Sequence, residues 1–416
     1  MDIEDHDFNE NDIVDQNDNF DDNFSNNTDG KLSRYQVIQN INQIDLKFGF
    51  TIFKEARTKV AWLMNMHPAE VITEDNQFLS AVNYYFIEEN GDRFKISLPY
   101  KPYLYVATVE HCEKEASLYL SKKYAGDLTE IEIVAKDDLN LPNHLIGLQR
   151  TFLKLSFLNV QNLTKVKRDL MPKIRKNREK QKSKSDYADM LSRFFKIILV
   201  KLLVYINHRV FSHFAGKSTT VVEKSLSDQI DNIIDIREHD VPYHVRVSID
   251  LKIFVGKWYN VVGKGENDKP QITLNEELID WPEPIVLAFD IETTKEVLKF
   301  PDAKIDKIMM ISYMIDGRGF LIVNREIVSQ DVEDFEYTPK PEYEGCFTVY
   351  NEKNEYELLI RFFEHIQLVK PHIFVTPFVE TRAASYNLNM CKEIGFAKDA
   401  QGEYKSSQSI HMDAFK

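Results

Sequence analysis

Cysteine is scarce: Cys112, Cys346 and Cys391 are the only three in 416 residues, far apart and in no C-x-x-C pair. Disulfide frameworks, zinc ribbons and iron–sulfur clusters have no support here, and the implied compartment is a reducing one. The N-terminus lacks the basic-then-apolar order of a secretory signal. No run of about 20 apolar residues occurs, so neither a transmembrane span nor a membrane partner is expected. Lysine and arginine are missing from residues 1–30, which hold nine Asp and two Glu. That segment carries −11 of the −14 net charge and leaves 52 basic against 55 acidic groups in the remainder. A nearly neutral body excludes a uniformly basic nucleic-acid binder, so any contact with nucleic acid has to be made by a local basic patch.

What is present describes a globular chain of two or three domains, 43% hydrophobic and 12% aromatic. Residues 1–30 have too little apolar surface to offset their ordering entropy and are expected to be a disordered acidic tail. Residues 31–281 read as a strand-rich α+β N-terminal domain. Asn83–Ile87 and Arg93–Leu98 flank Asn90-Gly91 and predict a hairpin, and Tyr103–Ala107 predicts a further strand. Residues 165–184 contain ten Lys or Arg against two acidic residues. This is a solvated helix face, a nuclear-import signal, or a DNA phosphate patch through Lys173, Arg175, Lys176 and Arg178. No aromatics interleave, so no base-stacking platform is indicated. Residues 194–206 are apolar at eleven of thirteen positions and read as a short buried helix inside an atypical stretch, 188–222.

From Pro282 the texture becomes α/β. Ile285–Phe289 is a continuous apolar strand of the kind buried on both faces. Lys307–Ile315, Gly317 and Phe320–Val323 read as strand, turn and strand. Asn354 and Glu357 have capping-box spacing ahead of a helix striped by Leu359, Phe362, Phe363 and Ile366. His372–Thr376 is strand again, giving the order β-β-β-α-β. Asp290-Ile291-Glu292 ends the apolar strand. Carboxylates at i and i+2 share one face about 7 Å apart and repel unless a cation lies between them. Hard oxygen ligands of this kind suit Mg²⁺ or Mn²⁺. Ile291 should anchor the pair in the core, and Thr293 and Thr294 could offer hydroxyl or N–H groups to a substrate phosphate.

Phe289-Asp290-Ile291-Glu292-Thr293-Thr294 resembles the first exonuclease motif of family B DNA polymerases. Its surroundings resemble the epsilon-type catalytic subunits of that family. They include Val286-Leu287-Ala288, Phe300-Pro301-Asp302-Ala303, Met309 to Gly317, Asn324 to Ser329, Pro339 to Gly345 and Glu393-Ile394-Gly395-Phe396. Earlier matches are Asn65-Met66-His67-Pro68, Leu98 to Tyr103, Leu141-Pro142-Asn143-His144 and Asp240-Val241-Pro242-Tyr243-His244. The resemblance runs from about Arg34 to Lys416 and breaks around 188–222.

The resemblance implies an N-terminal family B polymerase domain followed by a ribonuclease-H-like 3′–5′ exonuclease domain, 282–416. It also implies template-directed DNA synthesis with proofreading in the nucleus, DNA as partner (primer–template or single-stranded) and accessory subunits of the polymerase complex. Asp290 and Glu292 map onto the first two metal ligands of the proofreading site. The chain departs from the pattern in four places. The polymerase motifs, the metal-holding cysteine-rich region (the family's zinc and iron–sulfur sites) and the third exonuclease motif would all lie beyond Lys416. The second exonuclease motif, a Tyr-Asn-Gly-Asp-Phe-Phe-Asp-Trp type segment, would fall where Thr376 joins straight to Pro377. The expectation is a truncated exonuclease domain, inactive by itself, in a fragment, splice form or altered gene product. A non-catalytic DNA- or replisome-binding module is the alternative. A stand-alone metal nuclease would need further ligands, for which Glu380 and Asp413 are the nearby acids.

Overall fold

The computed structural model describes residues 33–138, 149–180, 230–265, 269–296, 302, 305–333, 347–376, 395–398 and 404–413. The acidic tail, the apolar stretch at 194–206 and Glu380 lie outside the described residues. Along the chain run α1 (Arg34–Lys47), β1 (Thr51–Ile52), β2 (Thr58–Ile72), β3 (Phe78–Glu88), β4 (Arg93–Pro99) and β5 (Tyr103–Thr108). Next come α2 (Glu113–Lys123), β6 (Leu128–Asp137), β7 (Gln149–Phe157), α3 (160–180), β8 (Ile233–Arg237) and α4 (Tyr243–Leu251). β9 (Trp258–Val262), β10 (Gln271–Leu274), β11 (Val286–Thr293), β12 (Ile308–Ile315), β13 (Arg318–Asn324) and β14 (Thr348–Glu352) follow. The last are α5 (Glu355–Val369), β15 (Ile373–Thr376), β16 (Ala397–Lys398), β17 (Tyr404–Lys405) and β18 (Ile410–Asp413).

Two compact units result. One gathers residues 1–71, 81–100 and 244–416; the other is 72–80 with 101–243. Within the larger unit, β9 and β10 return to extend the sheet that β2 begins.

The smaller unit has the order β-α-β-β-α-β, with an antiparallel sheet β6-β7-β5-β8, the ferredoxin-like connectivity. Leu104, Val106, Leu153, Leu155 and Phe157 alternate onto one sheet face. There they meet Ala116 and Leu120 of α2 and Val166, Leu170 and Ile174 of α3.

The larger unit holds two six-stranded sheets, β1-β4-β3-β2-β9-β10 and β14-β13-β12-β11-β15-β18. The Asn90-Gly91 hairpin forms as expected, with Gly91 at φ +85°. In the second sheet Asp316-Gly317 is a two-residue turn with both φ positive, the geometry whose twist matches a tight hairpin. β11 lies centrally, antiparallel to β12 and parallel to β15. This mixed sheet is the ribonuclease-H-like arrangement that the exonuclease expectation required. α5 begins where the Asn354 side chain accepts the Glu357 N–H at 3.0 Å. Its expected stripe Leu359, Phe362, Phe363 and Ile366 is buried against Leu287, Phe289, Ile311 and Tyr313. β14 is one strand more than the sequence pattern indicated. It is an edge strand, Thr-Val-Tyr-Asn-Glu, with no clean alternation to reveal it.

A polar cluster is sealed inside the larger unit. Lys95 pairs with Asp45, both essentially without solvent exposure. Asp45 also accepts from Tyr85 Oη at 3.1 Å and Gln408 Nε2 at 2.6 Å, while Lys95 reaches Asn42 at 2.7 Å.

Candidate functional site

β11 sets the site by simple alternation. Leu287 and Phe289 face the core, the Phe289 and Phe362 rings lying 5.1 Å apart, and Ile291 packs against the same cluster. The other face therefore receives Ala288, Asp290 and Glu292, and both carboxylates are exposed. β15 pairs with β11 only through Val286, Leu287 and Ala288, whereas β12 continues to Thr293. The acidic pair thus stands past the end of β15, at the carboxyl end of the central strand. The direction of chain connection reverses there, the usual ligand crevice of such sheets. The Ile291 N–H donates to Asp290 Oδ1 at 2.8 Å, which fixes one carboxylate rotamer.

The strand is irregular beside these acids. Glu292 pairs with Met310, but Thr293 pairs with Ile308, so β12 carries one extra residue, Met309. A bulge of this kind sharpens the twist and re-aims neighbouring side chains. Two buried side chains take up the Ile308 backbone. Its N–H donates to Glu355 Oε1 at 2.8 Å and its carbonyl accepts from Asn324 Nδ2 at 2.9 Å. Glu355 and Asn324 are 1% and 0% exposed. Sequence reasoning missed both. Glu355 reads as an ordinary first-turn acid, and nothing in the sequence marks Asn324 as a partner for Ile308.

Thr294 closes the loop that follows. Its N–H donates to the Lys307 carbonyl at 2.9 Å, and its Oγ1 accepts the Lys307 N–H at 2.9 Å and lies 3.3 Å from Asp306 Oδ1. These groups are spent within the chain, while Thr293 sits half-buried at the bulge. In the parallel register of β15 with β18, Asp413 pairs with Thr376.

The basic patch is divided by its surroundings on α3. Lys173 Nζ is 3.1 Å from Asp169 Oδ1, and Arg178 pairs with Asp235 and donates from Nε to the Ile234 carbonyl at 3.2 Å. Arg175 and Lys176 are exposed and form no ion pair among the described residues.

A divalent cation is the group this kind of domain depends on. Asp290 and Glu292 offer it two oxygen ligands on one strand face. Among the described residues no group of three His, Cys, Asp or Glu side chains comes together. The donor set fits one loosely held hard cation and does not fit a two-metal cage.

The profile of "DNA polymerase family B, exonuclease domain" matches residues 234–416. A family B DNA polymerase from the hyperthermophilic archaeon Pyrobaculum calidifontis has a similar structure, with TM-score 0.50 and 16% identity over 86% of this chain and 36% of its own. With the sheet order and the acidic strand end, the profile match marks residues 234–416 as a family B exonuclease domain. The chain is homologous to the DNA polymerase epsilon catalytic subunits, of which it corresponds to an N-terminal region. It is 43% identical to the polymerase epsilon catalytic subunit of Schizosaccharomyces pombe over 390 residues, which is 92% of this chain and 17% of that protein. Its identity to the Arabidopsis thaliana protein of the same name is 42% over 386 residues, 90% of this chain and 16% of that one. The chain thus spans about one sixth of the length of these relatives.

Proposed function

We propose that this chain carries the first exonuclease motif of a replicative, nuclear DNA polymerase in a form that does not itself proofread. The observation that supports this reading is the acidic pair itself. Asp290 and Glu292 stand together on an exposed strand face, with no third ligand among the described residues. They would hold one Mg²⁺ or Mn²⁺ weakly, and such an ion, when bound, polarises a phosphoryl oxygen. The chain's own contribution is to present two carboxylates from a rigid core strand. Thr376 joins directly to Pro377, so the acid of the second motif is not supplied between them. With one weak ion the charge developing on the leaving oxygen stays poorly screened, and each ~1.4 kcal/mol of lost stabilisation costs tenfold in rate.

Template-directed synthesis, primer–template DNA as partner and assembly with accessory subunits are proposed for the polymerase to which this region corresponds. A DNA-holding role for the smaller unit has its own support in the free cations Arg175 and Lys176. The test is release of a 3′ nucleotide from labelled single-stranded DNA with Mg²⁺ or Mn²⁺. We expect none above background. Release that disappears in an Asp290→Ala, Glu292→Ala double variant overturns the reading in favour of a working nuclease.

A further inference from the structure

We propose that Glu355 and Asn324 are positioning residues for the acidic pair, acting through the bulge at Ile308. The inference rests on the reading of Asp290 and Glu292 as a cation site. The bulge removes one rung from the β11–β12 ladder at the level where Glu292 leaves the strand. On the other side of β12, Ile308 lies beyond the last pair with β13, Met310 with Val323, so its backbone N–H and carbonyl need partners in a buried place, where an unpaired group costs about 1–3 kcal/mol. Both are met from outside the strand pair, by the first residue of α5 and the last residue of β13.

This clamp holds the register. A slip of one residue would send Glu292 to the core side and bring its neighbours outward. Regular pairing without the bulge would lower the local twist and turn the Glu292 carboxylate relative to Asp290. The clamp is specific in its chemistry. Ile308 N–H needs an acceptor, which Glu or Gln supplies and Ala does not; Ile308 carbonyl needs a donor, which Asn supplies. Neither residue approaches the cation site by itself. Residues of this kind that orient a metal ligand typically change affinity 10–100-fold when altered.

The experiment is Mn²⁺ titration of the full chain, reading free Mn²⁺ by electron paramagnetic resonance, on variants whose far-ultraviolet circular dichroism matches the unaltered protein. We expect Glu355→Gln to bind within about twofold of the unaltered chain, and Glu355→Ala and Asn324→Ala to bind on the order of tenfold more weakly. Glu292→Gln serves as the ligand control. Binding that is lost in Glu292→Gln but unmoved in a folded Glu355→Ala or Asn324→Ala overturns the positioning role and leaves the cation reading intact. Absence of saturable Mn²⁺ binding in the unaltered chain overturns the cation reading, and the inference with it. If one Ala variant does not fold, the other decides by the same criterion. Unfolding of both assigns the clamp to stability alone.

Discussion

Lys95 has no exposed surface to lose, and its charge is tolerable only because Asp45 and Asn42 surround the ammonium. Replacing it with Met keeps the volume and strands the Asp45 carboxylate, which the Tyr85 and Gln408 donors only partly satisfy. Breaking one half of such a pair costs about 3–5 kcal/mol. Lys95→Met should lose that much in urea unfolding; a loss under about 1 kcal/mol would mean that water reaches the pair. His372 makes a second residue-scale case. Its Nδ1 accepts the Ile285 N–H at 2.8 Å, so the neutral ring carries its proton on Nε2, which is buried without a partner. Burial first, then the Arg93 guanidinium, pushes its pKa down to about 3. Protonation would put a second donor against Ile285. A folded value below the unfolded one means that this contribution is complete above about pH 6.5 and is lost as pH falls toward about 3. Between pH 6.5 and 5 the loss is about 2 kcal/mol. His372→Asn keeps an acceptor and cannot titrate, so it should flatten that part of the urea-midpoint profile. Identical pH dependence in the two proteins would exclude His372 as its source.

Among the elements, α5 was the most legible. Its cap, its stripe and the Pro371 that follows it all stand in the sequence, because local chemistry and core packing agree there. β14 and the bulge were not legible. An edge strand has little hydrophobic contrast, and a bulge is a relation between two strands that neither sequence states alone. The fate of Thr294 was hidden for the same reason, since its partners Asp306 and Lys307 come from the far end of a loop. The end of α5 yields a prediction. Lys370 closes it in the left-handed conformation, φ 53°, with its N–H on the Ile366 carbonyl. Glycine adopts that backbone without strain, and Lys370→Gly should gain up to about 1 kcal/mol. Thermal unfolding measures it; an unchanged or lower midpoint would show that the lysine side chain contributes there. Phe362→Ala, in the stripe that seats Phe289, should lose about 3–5 kcal/mol and loosen the strand that carries the acids.

At the scale of the molecule, the family was readable from motif residues spread between about Arg34 and Lys416, while the long-range strand pairing was not. Alternation names the faces of β2 and β9 but not that they pair across nearly two hundred residues. The basic patch was equally ambiguous until its partners appeared. Lys173 and Arg178 have acidic neighbours from Asp169 and Asp235, and Arg175 and Lys176 do not. Arg175→Ala with Lys176→Ala should therefore weaken single-stranded DNA binding at low salt. It should also lower the slope of log affinity against log salt by about 2, one per lost phosphate contact. Lys173→Ala with Arg178→Ala should act first on thermal stability. Equal effects of the two pairs on the salt slope would mean that the ion pairs open to meet DNA.

The bond between Asp45 and Gln408 joins positions 363 residues apart. A ribosome adding about 5–20 residues per second leaves roughly 20–70 s between the emergence of the two partners. For the last part of that interval, after residue 243 has been added, the smaller unit, nearly continuous from 101 to 243, is already fully synthesised and free to fold. The larger unit can only hold its first strands open. The chain is thus timed to complete its insertion before its frame. The unfinished β2–β4 hairpins, apolar on their inner faces, are the segment that a chaperone would meet first.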